Sequence, residues 1–359
     1  MSLLEVAGLS VSIPTADGTI SPVRDVSFEV ASHRTLGLVG ESGAGKSVLG
    51  LTLLGLMPSA HVSGSATFKG ASLCDMPAET RRRIRGAEIA MVFQDPASAL
   101  HPMYRVGWQL REVIRAHETM SAADARRRGV DLLRAVNIPD PERSIDTYPH
   151  QLSGGMRQRV MIAMALALEP DLLIADEPTT ELDATIQAQV IELIRSIQEA
   201  RGMGLIIITH DLGVVAYLAD DVAVMYAASL VERGSCRVVF AQPHHPYTCG
   251  LLRAMPASAL ARGAPQRFTP IEGQPPSLVN PPSGCRFHPR CPYAMERCIT
   301  ETPVLQPLPD DTTHRSACWL PGAITGSDPA AHRARQEFAA AHQSDLTRAL
   351  PGVVGTEHA

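Results

Sequence analysis

Thr35-Leu36-Gly37-Leu38-Val39-Gly40-Glu41-Ser42-Gly43-Ala44-Gly45-Lys46-Ser47 is the stretch that decides the fold. A short apolar run, the signature of a buried strand, breaks into a G-x-x-x-x-G-K-[ST] loop, and an apolar helical run follows from Val48. The glycines let backbone N–H groups turn inward around phosphate oxygens, and the following helix N-terminus adds a favourable dipole. Lys46 supplies a point charge for the β- and γ-phosphates of a nucleotide, and the Ser47 hydroxyl is a ligand for Mg²⁺. The bland alternative is a glycine-rich turn with a chance lysine. A strand before and a helix after are the context that the phosphate loop needs and the chance turn does not.

Outward from that loop, Glu88–Phe93, Leu172–Ala175, Leu205–Thr209 and Val222–Tyr226 read as further buried strands, short and apolar and ending in polar residues. Between them Ile186, Val190, Ile191, Ile194 and Ile197 recur at helical spacing, an apolar stripe that packs on a sheet. Strands separated by helices predict an α/β fold with a mostly parallel sheet covered on both faces. In the first thirty residues Val26, Phe28 and Val30 alternate, which predicts antiparallel strands leading into the core. Residues 95–150, rich in arginine and without a strand pattern, predict a helical insertion, which extends to about 165 once the helix after Leu152 is included. After about residue 260 the chain turns proline-rich, with Pro275-Pro276 and Pro281-Pro282, and we expect a small appended module over 261–322. The alanine-rich tail over 323–359 is expected to be a short helix or disordered.

Leu172-Leu173-Ile174-Ala175-Asp176-Glu177 is a strand that ends in two carboxylates. In a parallel sheet it ends at the same edge as the phosphate loop. There Asp176 would hold Mg²⁺ and Glu177 would polarise the attacking water as a general base. Alone, such a pair is more often a solvated acidic turn; beside a phosphate loop the chemical reading prevails.

Bulk properties narrow the classes. The formal net charge is −5, with no block of like charges, so no nucleic-acid partner is expected. The longest apolar stretch, Val160–Leu168, is far short of the roughly 20 residues a membrane helix needs. The N-terminus has no basic stretch followed by an apolar run, so a cytosolic chain is expected, attached to a membrane only through partners.

Leu152-Ser153-Gly154-Gly155-Met156-Arg157-Gln158-Arg159, just before the acidic strand, makes the reading specific. It resembles the LSGGQ signature of the ABC transporter ATPases, with Met156 where the family usually has Gln. The resemblance implies a RecA-like P-loop core with an antiparallel β subdomain, and Ser153, Gly154 and Gly155 gripping the γ-phosphate of ATP held by a second ATPase subunit. It further implies that Gln94 is the glutamine that senses Mg²⁺ and the attacking water, and that Leu182-Asp183 is the loop crossing the dimer interface. His210 becomes the switch histidine on the γ-phosphate. The family stacks adenine on an aromatic residue of its first strands; Ile13 stands nearest that place and would keep dispersion but lose ring stacking.

Four of the seven cysteines crowd together as Cys285-x5-Cys291-x6-Cys298-x19-Cys318. In a reducing compartment such a group reads as a metal site rather than a disulfide frame. Gly284-Cys285-Arg286-Phe287-His288-Pro289-Arg290-Cys291-Pro292, with Pro243-His244-His245-Pro246-Tyr247-Thr248 upstream, resembles the C-terminal extension of the dipeptide/oligopeptide importer ATPases, a likeness that covers the chain to about residue 320. Four thiolates can hold a 4Fe–4S cluster or tetrahedral zinc, and both the spacing and the resemblance favour iron–sulfur. His288 and His314 are alternative ligands, and four free thiols are the alternative without metal. The resemblance implies ATP and Mg²⁺ as cofactors, a related but non-identical ATPase subunit, two membrane permease subunits and an extracytoplasmic binding protein, with the chain at the cytoplasmic face of the membrane. Dipeptides or oligopeptides are the expected cargo, with nickel chelates and glutathione carried by similar ATPases.

Other classes fit less well. An ABC ATPase of DNA repair would insert coiled coils or zinc modules between Ser47 and Leu152, and no sustained heptads occur there. A ribosome-acting ABC protein would carry two phosphate loops, and the sequence has one. A redox protein built on the cysteines has nothing else in the sequence to support electron transfer.

Overall fold

A computed structural model describes residues 2–16, 18–180, 182–254 and 271–320. The expected tail over 323–359 and the start of the expected module at 261–270 lie outside the described residues.

Two sheets carry the molecule. The first is antiparallel, in the order β2-β1-β4-β5, from β1 (Ser2–Thr15), β2 (Gly18–Ala31), β4 (His61–Phe68) and β5 (Ala71–Ser72). The alternation of Val26, Phe28 and Val30 puts all three in the core, as a half-buried strand requires. The second has the order β11-β12-β10-β9-β3-β8-β7-β6. Its centre is parallel: β6 (Ile89–Val92), β7 (Leu172–Asp176), β8 (Gly204–Thr209), β3 (Thr35–Val39) and β9 (Asp221–Tyr226). β10 (Ser229–Ser235) turns back antiparallel, and the short β12 (Arg315–Ser316) and β11 (Gln306–Pro307) complete that edge.

The apolar runs of the central strands follow from burial on two faces. In β7, Leu173 and Ala175 join one core cluster while Leu172 and Ile174 join another; in β8, Leu205 and Ile207 part from Ile206 and Ile208 in the same way. One cluster lies under the helical insertion and the helix Ala184–Arg201, the other under the antiparallel sheet and the helix Lys46–Leu53. A strand clothed on both sides has no reason to alternate. The insertion itself is helical among the described residues, with Val106–Arg115 and Ala122–Ala135 as its longer helices.

Register sets the site. Val39 pairs with Thr209, Asp176 with Ile208 and Val92 with Ala175, so β3, β6, β7 and β8 all end at one edge. Gly40, Gln94, Glu177 and His210 leave the sheet there.

Candidate functional site

The phosphate loop runs from the end of β3 to the helix Lys46–Leu53. Gly40 and Gly45 are obligatory: both have positive φ, and an added Cβ would lie 2.1 Å from the Met225 carbonyl oxygen at Gly40 and 1.8 Å from that of Pro22 at Gly45. Lys46 is buried, and its Nζ donates to the carbonyls of Gly40 (2.7 Å) and Glu41 (3.0 Å), folding the loop over its own ammonium. Burial lowers its pKa, while Glu177, Asp176 and Glu41 pull the other way. The Ser47 hydroxyl donates to Asp176 Oδ1 at 3.0 Å, so the two residues proposed from sequence to hold a cation stand together. Burial raises the pKa of Asp176, opposed first by the Ser47 bond. A divalent cation would favour the carboxylate there.

Glu177 is the meeting point of the second half. It takes a left-handed backbone conformation (φ 45°), which costs a non-glycine residue about 1–2 kcal/mol. Its N–H donates to the Ile208 carbonyl at 2.8 Å, which pins that conformation. Its Oε2 accepts from Thr180 Oγ1 (2.9 Å) and Gln94 Nε2 (3.4 Å), and His210 Nδ1 stands 3.3 Å away. Residues 94, 177 and 210, far apart in sequence, thus converge on one carboxylate. The arrangement sets an acceptor oxygen and an amide side by side, the pair of groups that a water to be deprotonated needs.

Ser153 caps the helix Gly154–Ala165, its hydroxyl accepting from the Met156 N–H at 3.3 Å. Asp183 caps Ala184–Arg201 through the N–H groups of Thr185 and Ile186. The two caps are adjacent: a Cβ on Gly155 would fall 2.6 Å from Ile186 Cγ2, so only glycine permits this approach. Ile13, half-buried, packs against the apolar cluster that includes β1.

Some partners were not foreseen. Thr180 carries no motif of its own, only its place three residues after Glu177. Asp211 caps Leu212–Leu218 and also accepts from Gln187 Nε2 at 2.9 Å, tying the His210 turn to the helix behind Asp183. Glu41 does not leave its polar groups free: its N–H donates to the Tyr247 hydroxyl at 2.8 Å and its carboxylate takes two bonds from Arg290. A position 249 residues away in sequence gives no local signal.

Cys285, Cys291, Cys298 and Cys318 line one cavity together with Phe287 and His288. Burial pushes the Cys291 thiol up to about 11 and raises those of Cys285 and Cys318. Among the described residues no group of three or more His, Cys, Asp or Glu side chains is arranged to hold a metal ion. His314 is engaged elsewhere: its Nε2 lies 2.7 Å from Glu232 Oε1, both side chains buried.

The family model for ABC transporters matches residues 23–180, and that for the C-terminal region of oligopeptide/dipeptide transporters matches 231–298. The dipeptide transport ATP-binding protein DppD of Bacillus subtilis (strain 168) is 50% identical over 321 residues, 89% of this chain and 94% of that one. The chain belongs to the ABC transporter ATP-binding proteins. Within this family the oligopeptide transport ATP-binding protein OppD of Salmonella typhimurium is 48% identical, covering 84% of this chain and 90% of that one. Among solved structures, cbiO1 from Clostridium perfringens, part of the ABC transporter complex cbiONQ, superimposes with a TM-score of 0.58 at 28% identity, over 67% of this chain and 91% of that one. An ATP-binding cassette solved as a dimer bound to ADP and phosphate shares the fold, with a TM-score of 0.59 at 24% identity, 65% of this chain and 99% of that one. As an ABC ATPase, the chain is the ATP-hydrolysing subunit of a transporter. No helix among the described residues is long and apolar enough to cross a membrane.

Proposed function

We propose that this ABC ATPase drives uptake of dipeptides or oligopeptides by closing on ATP with a second, related ATPase subunit beneath two permease subunits. The observation that carries the hydrolytic role is the Glu177 carboxylate, with Thr180, Gln94 and His210 around one oxygen and the Ser47–Asp176 pair on the same sheet edge. Gly40, Glu41, Ser42, Gly43, Ala44 and Gly45 form the cradle, and Lys46 leaves its two carbonyls for the β- and γ-phosphates. Ser47, Asp176 and Gln94 would hold Mg²⁺, which neutralises developing phosphate charge. Glu177 draws a proton from a water oriented by Gln94. The water oxygen bonds to the γ-phosphorus as its bond to the bridging oxygen of ADP breaks. His210 contacts the γ-phosphate. Ser153, Gly154 and Gly155 serve the ATP bound by the opposite subunit, where a helix N-terminus offers N–H groups and a favourable dipole, and Asp183 lies at that interface.

Contact with permeases is supported by exposed apolar side chains at Phe93, which adjoins Gln94 in sequence, and in the helical insertion: Phe93 is 38% exposed, Met103 75% and Trp108 37%. Such docking would place the chain peripherally at the cytoplasmic face, with an extracytoplasmic binding protein delivering cargo. We further propose a division at about residue 260 between the nucleotide-binding domain and a C-terminal extension to about 322.

The four-cysteine cavity is our candidate seat for a 4Fe–4S cluster, with zinc as the alternative. Its four thiols suit either, although their present arrangement is not a ligating one. The role would be structural. Iron and zinc analysis of the purified complex tests this, and finding neither in wild type rejects it.

The transport reading is tested by reconstituting the chain with its co-purifying partners. ATP hydrolysis stimulated by peptide-loaded binding protein, and lost in Glu177→Gln, is expected. Stimulation by nickel chelate or glutathione and not by peptide would overturn the cargo class.

A further inference from the structure

Arg290 occupies the last position of a short turn between two of the clustered cysteines, His288–Arg290, and its guanidinium reaches the phosphate loop. Nη1 and Nη2 donate to the two carboxylate oxygens of Glu41 at 2.7 and 2.9 Å, the planar fork that gives an arginine–carboxylate pair both strength and direction. The pair is not a solvent-screened surface contact: the Arg290 side chain is 4% exposed and that of Glu41 25%. Nε donates to the Glu272 carbonyl at 2.9 Å, and Nη1 also reaches the Tyr226 hydroxyl at 3.4 Å. The guanidinium is therefore oriented from several sides before it meets Glu41.

Glu41 is fixed at four points. Arg290 holds its carboxylate, Tyr247 accepts from its N–H, Lys46 donates to its carbonyl, and the Ala44 N–H donates to that same carbonyl at 3.2 Å. Only the third is incompatible with bound ATP, because Lys46 must then turn to the phosphates. Once Lys46 has left, Arg290 and Tyr247 are the holds on Glu41 that come from outside the loop itself. The position of Arg290 is in turn set by the cysteine segment. Cys285 N–H donates to the Cys298 carbonyl, His288 N–H to that of Cys285, and Arg290 N–H to that of Phe287. A change in packing around the cysteines thus moves the residue that grips the loop.

We propose that Arg290 is a positioning residue for the phosphate loop, and that through it the folding of the four-cysteine segment sets the affinity for ATP. The proposal rests on the phosphate-loop reading but not on any metal. A purely structural bridge would affect melting temperature and leave nucleotide affinity alone.

The test is a titration of the ATPase, in complex with its partners, with a fluorescent ATP analogue and Mg²⁺. Arg290→Ala is expected to raise Kd about tenfold, with KM rising far more than kcat changes. Cys291→Ser is expected to raise Kd by a similar factor, and the double variant to be no weaker than the weaker single. Arg290→Lys, which keeps the charge but not the fork, should recover part of the loss. An unchanged Kd in Arg290→Ala would overturn the proposal, as would single effects that multiply to about a hundredfold in the double variant. If Arg290→Ala fails to fold, Arg290→Lys and Glu41→Gln decide, and affinity at the wild-type level in both refutes it. Failure of the wild-type complex itself to bind the analogue would refute the phosphate-loop reading instead.

Discussion

Lys46 sits almost fully buried with its ammonium bonded to its own loop, a cation stored where phosphate will come. The loop can close that tightly only because Gly45 has no side chain. Gly45→Ala would set a methyl against the Pro22 carbonyl and force φ +104° on an L-residue. We predict a loss of about 1–3 kcal/mol in stability and loss of ATP binding, read by urea unfolding and nucleotide titration. The phosphate loop and Glu177 stood out in the sequence because each follows an apolar strand, whereas Gln94 and His210 were singled out only through the family resemblance; the structure brings both to the Glu177 carboxylate. Thr180 and Arg290 did not stand out, since their value comes from three-dimensional neighbours and neither position carries a spacing signal. The geometry around Glu177 follows from register: one-residue shifts in β6 or β8 would move Gln94 or His210 to the other side of the sheet edge.

At the scale of elements, the helices Gly154–Ala165 and Ala184–Arg201 start side by side because Gly155 admits Ile186. Gly155→Val should push the Ser153 cap out of line. Turnover would fall about a hundredfold while ATP binding at the chain's own phosphate loop persists, separable by phosphate-release and binding assays. The sequence announced the helix start at Ser153 through its cap and glycines, but not what the second glycine accommodates.

A second element-scale prediction concerns the turn before the helix Pro246–Arg253. His245 is fully buried, its Nδ1 accepting from the Tyr247 N–H, and burial depresses its pKa from 6.5 to about 4 against the opposing pull of Glu232. The unfolded chain therefore takes up a proton first as the pH falls. The stabilising contribution is complete above pH 6.5 and is lost as the pH drops through 4, on the order of 3 kcal/mol in all. Urea unfolding between pH 7 and 4 should show this slope, and His245→Asn, which keeps an acceptor for Tyr247, should flatten it.

At the scale of the whole molecule, the parallel centre could be read from short apolar runs separated by a helical stripe, the antiparallel strands from the alternation of Val26, Phe28 and Val30, and the helical insertion from an arginine-rich stretch without a strand pattern. The far edge could not. β11 and β12 are two residues each, too short to leave a pattern, yet β12 pairs with β10 and brings the stretch between Cys298 and Cys318 back onto the main sheet. Buried Glu232 seals that return, accepting from the N–H groups of His244 and His245 while His314 stands 2.7 Å away. The segment that lines the cysteine cavity is thus continuous with the sheet that carries the phosphate loop.

The central claim is that ATP is clasped by two subunits, this chain's Ser153 helix facing the nucleotide of the other. A structure of the Glu177→Gln transporter with ATP and Mg²⁺ measures it directly. We predict the Ser153 hydroxyl and the Gly155 N–H within hydrogen-bonding distance of the γ-phosphate held by the opposite ATPase subunit. Both groups facing solvent in a nucleotide-loaded, closed assembly would contradict the account.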